Sequence, residues 1–213
     1  TKVSYLHFPG CEAYRKRIIQ LGEHPDRVFN YGDVGVEMVR LSSRKDKKEL
    51  SKELNWDFFA PYLCVLFHPV TLEFNQAKKQ IEHLLSGIDE HKEYNYVFIQ
   101  GNSDAGGRVI SEKIREYVDL NSNCILFTSL PSMIYISILA GAAALLGNSS
   151  SGIVEAPALG IPTINIGDRQ KGRLQANSII NCEPETEDIS QAIALLQSGE
   201  FQKQMEKINN PYG

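Results

Sequence analysis

The chain has 213 residues, of which 42% are hydrophobic and 23% are charged, with a formal net charge of −4 at pH 7. This composition is ordinary for a globular protein with one substantial core, and the acidic balance argues against nucleic acid as the main partner. The sequence has no run of 18 apolar residues, and its start, TKVSYLHF, lacks the pattern of a signal peptide, so we expect neither a membrane span nor a leader.

Short apolar strands alternate with helical stretches along the chain. Strands are predicted at residues 3–8, 62–67, 94–100, 124–129, 142–148 and 162–167. Helices are predicted at 11–21, 71–85, 106–118, 131–140, 150–159, 188–197 and 200–208, with Gly22 as a C-cap and Thr71 as an N-cap. Several strands are apolar on both faces, as expected when helices cover both sides of a sheet. We therefore predict an α/β fold with a doubly wound, Rossmann-like parallel sheet.

The character of the sequence changes between residues 32 and 54. Asp33–Gly35 is turn-like, whereas residues 42–52 are highly charged and are predicted to form a surface helix, or a linker followed by one. Residues 1–35 hold only a predicted strand, helix and strand, which is too little for a core of their own. We place a domain boundary near Gly35, assign residues 1–35 to another unit, and assign residues 36–213 to one nucleotide-binding domain.

The four cysteines, Cys11, Cys64, Cys124 and Cys182, are widely separated. None belongs to a CxxC motif or a Cys/His cluster, which argues against structural zinc. Cys64 and Cys124 fall in apolar runs that are predicted to be strands. We interpret the cysteines as free, buried thiols of a protein in the reducing cytoplasm.

The most informative segment is GNSSSGIVE at residues 147–155, which follows a predicted strand and opens a predicted helix. Serine hydroxyls and backbone N–H groups at a helix N-terminus favour a phosphate, and the helix dipole adds to this effect. Glu155 lies about one turn further on, where its carboxylate could accept hydrogen bonds from the two hydroxyls of a ribose. An N-cap serine with polar neighbours explains the pattern equally well.

Polar residues follow three other predicted strands. His68, in FHPVT, could donate to a phosphate or act as a general acid, although a histidine that braces its own loop is the more common case. The glycines of GNSDAGG, residues 101–107, permit close approach of a ligand, but an ordinary turn explains them as well. Arg169 could reach a diphosphate, whereas Arg173 has the pattern of a solvated charge. In a doubly wound fold, such loops converge on one crevice.

The whole chain resembles the hydrolysing UDP-N-acetylglucosamine 2-epimerases, which include bacterial sialic-acid-pathway enzymes and the epimerase part of the animal bifunctional epimerase/kinase. The resemblance is carried by FHPVT, GNSDAGG, SLPSMIYISIL, GNSSSGIVEAPALGIPTINIGDRQKGR and YRKRIIQLGEHPDRVFNYGDVGVE. Non-hydrolysing relatives have a GHRREN-like sequence in place of FHPVT, which favours the hydrolysing branch. The resemblance implies a two-domain GT-B architecture, of which this chain is the C-terminal half, truncated at both ends, in a larger homo-oligomer.

The resemblance also implies which residues surround the UDP moiety. His68 matches an active-site histidine near the leaving diphosphate, and Ser149 and Ser150 match serines that hold this diphosphate. Glu155 matches a ribose-binding glutamate, and Arg169 matches an arginine of the nucleotide site. Asn102 matches a cleft asparagine, and Ser129 and Leu130 match a loop whose backbone reads the uracil. Ser151 receives no role.

The implied reaction is elimination of UDP followed by addition of water, which gives UDP and N-acetylmannosamine through a 2-acetamidoglucal. No metal or other cofactor is required if His68, Arg169 and the serine loop stabilise the charge that builds on the β-phosphate. A GT-B glycosyltransferase and a non-catalytic module that binds sugar nucleotides remain open as alternatives. The sugar also remains open between N-acetylglucosamine and a 2,4-diacetamido-6-deoxy relative.

Overall fold

A computed structural model describes residues 2–70, 76–101 and 107–213. Within them, one parallel sheet contains β1 (Tyr62–Leu66), β2 (Asn95–Ile99), β3 (Cys124–Phe127), β4 (Ala144–Gly147), β5 (Thr163–Ile166) and β6 (Ile179–Cys182). The strands lie in the order β3-β2-β1-β4-β5-β6. This is the doubly wound order, in which the direction of strand succession reverses between β1 and β4. The predicted fold class is therefore confirmed.

Helices precede, connect and follow these strands. Those before the sheet are α1 (Glu12–Gln20), α2 (Val34–Leu41) and α3 (Lys47–Leu54). Those between or after strands are α4 (Ala77–Asp89), α5 (Gly107–Leu120), α6 (Ser132–Gly141), α7 (Glu155–Ala158), α8 (Thr186–Leu195) and α9 (Gly199–Met205). In the part of the chain that the structure describes, no helix combines the length and apolar character needed to cross a membrane.

Apolar residues of β1 alternate between the two faces of the sheet. Leu63 and Val65 belong to the core cluster that includes α4 and α8, whereas Tyr62 and Cys64 belong to the cluster that includes α6. All five residues of β1 are buried, as expected for a central strand covered on both sides. The four cysteines are free, and burial raises the pKa of the Cys64 thiol to about 12. The interpretation of Cys64 as a buried structural thiol is confirmed.

The first predicted strand, residues 3–8, is wrong. The structure shows only an isolated parallel bridge between His7 and Val28, closed by backbone hydrogen bonds of 2.9 Å from His7 to Arg27 and from Phe29 to His7. The Phe8 ring stacks on Phe29 and Tyr31 but remains 64% exposed, and Val3 and Tyr5 are exposed as well, so the run is poorly covered and does not extend into a strand. Conversely, the prediction missed β6, which is four residues long and interrupted by the polar Asn181.

The predicted helix over residues 150–159 is only partly present. A 3-10 turn spans Ser150–Gly152, and α7 begins at Glu155 and has four residues. The interruption follows from tight packing, because Gly152 lies beneath β5 and its carbonyl accepts a hydrogen bond of 2.8 Å from the Thr163 hydroxyl. So short a helix contributes little dipole. The helix predicted to begin at Thr71 begins at Ala77 in the described residues, and Thr71 itself lies outside them.

A third apolar cluster joins the start and the end of the chain. Cys11 from the N-terminal segment and Val36 from α2 pack with Ile153, Val154 and Tyr212. Residues on both sides of Gly35 therefore contact the segment that follows β4.

Candidate functional site

A sharp turn at the end of β4 brings the chain across the end of β1. Gly147 has a φ of 143°, and a Cβ at this position would lie 1.9 Å from the carbonyl oxygen of Leu66. Only glycine fits so close to another backbone. The turn allows the N–H of Asn148 to donate to the Leu66 carbonyl at 3.1 Å, which places Asn148 at the point where the strand order reverses.

Asn148 connects three loops at the carboxyl edge of the sheet. Its Oδ1 accepts from the backbone N–H of His68 and its Nδ2 donates to the carbonyl of His68, both at 2.8 Å. Its own carbonyl accepts from Arg169 Nη1 at 2.9 Å and from Gln170 Nε2 at 2.8 Å. The side chain is buried, with 1% exposure. The loops after β1, β4 and β5 are thereby held together.

His68 lies just after β1 and is half-buried. Its imidazole contacts the end of β2, because a Cβ on Gly101 would lie 2.5 Å from Nδ1 of His68. The backbone of His68 is thus fixed from β4 and its ring is positioned beside β2. At this edge of an open α/β sheet, the histidine can face a ligand in the crevice.

The serines after β4 are held by a local turn. Ser149 is buried, and its Oγ accepts from the N–H of Ser151 at 3.3 Å, so it caps the 3-10 turn. Ser150, the next residue, is half-buried. A hydroxyl that accepts one hydrogen bond can still donate its own hydrogen. Capping by Ser149 is therefore compatible with donation to a phosphate oxygen.

Glu155 lies on the side of this loop that faces the N-terminal segment. Its Oε1 would be 3.0 Å from a Cβ on Gly35, and the Asp33 carboxylate would be 3.1 Å from the same point. Burial raises the pKa of the Glu155 carboxyl, and the charge of Asp33 adds to this effect. Within the described residues, Oε2 of Glu155 is buried and has no hydrogen-bond partner. A desolvated carboxylate with a spare acceptor suits a hydroxyl-bearing ligand.

The remaining predicted site residues are more dispersed. Ser129 is exposed and Leu130 is half-buried, and both follow β3, which is separated from β1 by β2. They lie shortly before α6, and Ile134 of α6 belongs to the same core cluster as Ala156 of α7, the helix that begins at Glu155. Asn102 lies outside the described residues.

A family model described as UDP-N-acetylglucosamine 2-epimerase matches residues 1–213 of this chain. The chain belongs to the UDP-N-acetylglucosamine 2-epimerase family. This assignment agrees with the doubly wound sheet and with polar loops gathered at one edge of it. In open α/β sheets, ligands bind in the crevice where the strand order reverses, which in this chain lies between β1 and β4.

Two curated relatives are similar in sequence to this chain. The chain is 40% identical over 204 residues, 95% of its length, to a Campylobacter jejuni protein named GDP/UDP-N,N'-diacetylbacillosamine 2-epimerase (hydrolyzing), of which it covers 53%. It is 38% identical over its whole length to the Escherichia coli polysialic acid biosynthesis protein P7, of which it covers 54%. The chain thus spans about half the length of these curated relatives.

The fold is also shared with solved structures of this family. The structure of a Neisseria meningitidis UDP-GlcNAc 2-epimerase bound to UDP-GlcNAc matches with a TM-score of 0.77 at 17% identity. The match covers 99% of this chain and 58% of that one. At this level of identity, the likeness establishes the fold alone.

Sequence reasoning did not assign a role to Asn148 or Gln170. Both lie inside the segment GNSSSGIVEAPALGIPTINIGDRQKGR, but their importance arises from long-range hydrogen bonds. Asn148 and His68 are 80 positions apart, and Gln170 and Asn148 are 22 positions apart. The available signal for Asn148 was its place as the first of four consecutive polar residues after the apolar run AAALLG. Such a residue can be recognised as an inter-loop link only when the strand order is known.

Proposed function

We propose that this chain is the UDP-binding half of a hydrolysing UDP-sugar 2-epimerase that releases UDP and the free 2-epimeric sugar, which is N-acetylmannosamine when the substrate is UDP-N-acetylglucosamine. The observation that carries the proposal is the hydrogen-bonded junction at Asn148, which joins the segments of His68, Ser149 and Arg169 at the switch point of the sheet. An imidazole, a serine hydroxyl and a guanidinium form a set of donors suited to a diphosphate.

In the proposed reaction, the other half of the enzyme removes the C2 proton of the sugar while this half stabilises the departing UDP. Negative charge builds on the β-phosphate as the bond to C1 breaks. His68, Ser149, Ser150 and Arg169 would donate to its oxygens without reorganising, because their loops are fixed in advance. Water then adds to the 2-acetamidoglucal to give the manno configuration.

The nucleoside part of the ligand would extend toward α6. We assign the ribose hydroxyls to Glu155, whose buried Oε2 lacks a partner among the described residues. We assign recognition of the uracil to the backbone of Ser129 and Leu130. We propose Asn102, which follows β2 in the sequence, as a further residue of the cleft.

Two observations concern the identity of the substrate sugar and the other domain of the proposed enzyme. The name of the C. jejuni relative contains diacetylbacillosamine, and the description of the family contains UDP-N-acetylglucosamine, so both a 2,4-diacetamido-6-deoxy sugar and N-acetylglucosamine are candidates. Phe8, Tyr31 and Val34 are 64%, 82% and 73% exposed. This exposed apolar surface supports our proposal that residues 1–35 belong to another domain, whose remaining residues would cover it.

The test is a product assay on the full-length protein with UDP-N-acetylglucosamine and with UDP-N,N'-diacetylbacillosamine, in the absence of any sugar acceptor. Release of UDP together with the free 2-epimeric sugar is expected from one of them. UDP release that requires an added acceptor would indicate a glycosyltransferase instead. Tight binding of the sugar nucleotide without turnover would indicate a non-catalytic module.

A second measurement assigns the roles of the two halves. The 213-residue chain alone should bind UDP in calorimetry but form no free sugar, since the proposed proton-transfer groups lie in the other half. Turnover by the isolated chain would contradict this division.

A further inference from the structure

Asn148 is a buried residue whose side-chain amide and backbone carbonyl hydrogen-bond to loops of the proposed site. Its side chain makes both backbone hydrogen bonds of His68, at 2.8 Å each, across 80 residues of sequence. Its carbonyl is the shared acceptor of Arg169 and Gln170. We infer that Asn148 is a positioning residue that sets the location of His68 relative to the phosphate-binding loop, an inference that rests on the proposed function.

The geometry gives this role a physical basis. Pairing one amide with both the N–H and the C=O of a single residue fixes the orientation of the peptide plane as well as the distance. His68 is the second residue after β1, so it is beyond the strand pairing that would otherwise define its backbone. The last paired residues are Leu66 and Gly147, and the side chain of the next residue, Asn148, supplies the hydrogen bonds that reach His68. A displacement of about 1 Å at a reacting group can lower a rate about 10²-fold.

The amide is also the side chain that this position requires. The contact to His68 needs one acceptor and one donor on adjacent atoms, which Asn supplies in a fixed planar group. An aspartate has the same shape, but when ionised it places an oxygen against the His68 carbonyl with no proton between them. A protonated aspartate restores the donor. Asn148→Asp should therefore act as a pH-dependent version of the native residue.

Asn165 offers a matched control in the adjacent strand β5. It is likewise buried, with 3% exposure, and its Nδ2 donates to Asn181 at 2.8 Å rather than to a loop of the proposed site. Removing the Asn148 amide eliminates both of its hydrogen bonds to the His68 backbone and costs stability. Removing the Asn165 amide costs less, because Asn181 is exposed and its Oδ1 still accepts from Gln175 Nε2 at 3.1 Å. Only removal of the Asn148 amide releases His68.

The experiment compares Asn148→Ala and Asn165→Ala in the full-length protein, with turnover expressed per folded molecule. We expect the first variant to lose about 10- to 100-fold in kcat while KM and the UDP Kd change much less, and the second to keep the wild-type kcat. Equal kcat values for the two variants would overturn the inference. If Asn148→Ala does not fold, Asn148→Asp and Asn165→Asp provide the comparison.

The aspartate pair adds a readout that loss of stability alone does not produce. The kcat of Asn148→Asp relative to Asn165→Asp should be low at neutral pH and rise as the pH is lowered. A ratio of one at neutral pH would overturn the inference. If the wild-type protein releases no product from either sugar nucleotide, the proposed function fails instead. The His68 imidazole NMR signal, shifted in Asn148→Ala and unshifted in Asn165→Ala, then tests the positioning on its own.

Discussion

Gly101→Ala is a perturbation that moves the imidazole of His68 without removing it. The added Cβ would lie 2.5 Å from Nδ1, whereas ordinary contacts begin at 3.4 Å, so the ring must shift by about 1 Å. A shift of this size at a reacting group lowers a rate by up to about 10²-fold. We therefore expect kcat to fall about 10- to 100-fold while UDP affinity stays within about threefold.

The same substitution should leave stability nearly unchanged. Gly101 has no φ in the left-handed range, and the three nearest atoms in the described part of the chain all belong to the His68 side chain. Alanine at such a site stabilises the folded protein by about 0.4–1 kcal/mol, because it lowers the conformational entropy of the unfolded chain. This gain offsets the cost of moving the ring. Gly199→Ala is the control, because a Cβ there meets nothing within 4 Å. Steady-state kinetics, UDP calorimetry and thermal melting on both variants test this reasoning, and a wild-type kcat for Gly101→Ala with a native melting temperature would refute it.

Three further predictions concern the loops after β4 and β5. Glu155→Gln should weaken UDP binding about 10- to 100-fold by calorimetry. Burial raises the pKa of the native carboxyl, so ionising this group in the folded protein lowers stability at neutral pH. Glutamine does not ionise, so the variant should melt at a higher temperature than the native protein at neutral pH. A lower melting temperature would contradict this reasoning. Arg169→Ala should weaken UDP binding about tenfold with little loss of stability, since Gln170 still donates to the shared carbonyl, and unchanged affinity would count against the diphosphate assignment. Gly147→Ala should cost more than about 3 kcal/mol in urea unfolding because its Cβ would collide with the Leu66 carbonyl, and a stable variant would show that the turn is misplaced.

The sequence was sufficient to predict the sheet because its signals are local. Continuous apolar runs such as Tyr62–Leu66 can be satisfied only by burial on both faces, and the alternation with helices then selects parallel pairing. Residues 3–8 are also mostly apolar, but within the described residues no second strand lies beside them beyond the bridge at Val28. Their failure to form a strand is a tertiary effect that the local pattern does not contain.

The candidate site was predictable in its outline but not in its connections. His68 and Ser149 could be recognised because each follows a predicted strand, and such loops share one edge in this fold. The role of Asn148 depends on the close passage of β4 over Leu66, which a positive φ at Gly147 allows. The proximity of Asp33 to Glu155 depends on packing between the N-terminal segment and the segment that follows β4. Contacts of this kind arise from long-range packing and leave no periodic signature in the sequence.

The most direct test of the proposed mechanism is His68→Asn in the full-length protein, with kcat, UDP affinity and melting temperature measured on one preparation. The substitution keeps a similar size and one donor but removes the ionisable ring. If His68 stabilises charge that appears only as UDP leaves, kcat should fall at least about 10²-fold while UDP affinity stays within about threefold. A lower melting temperature with near wild-type turnover per folded molecule would show instead that His68 only braces its own loop.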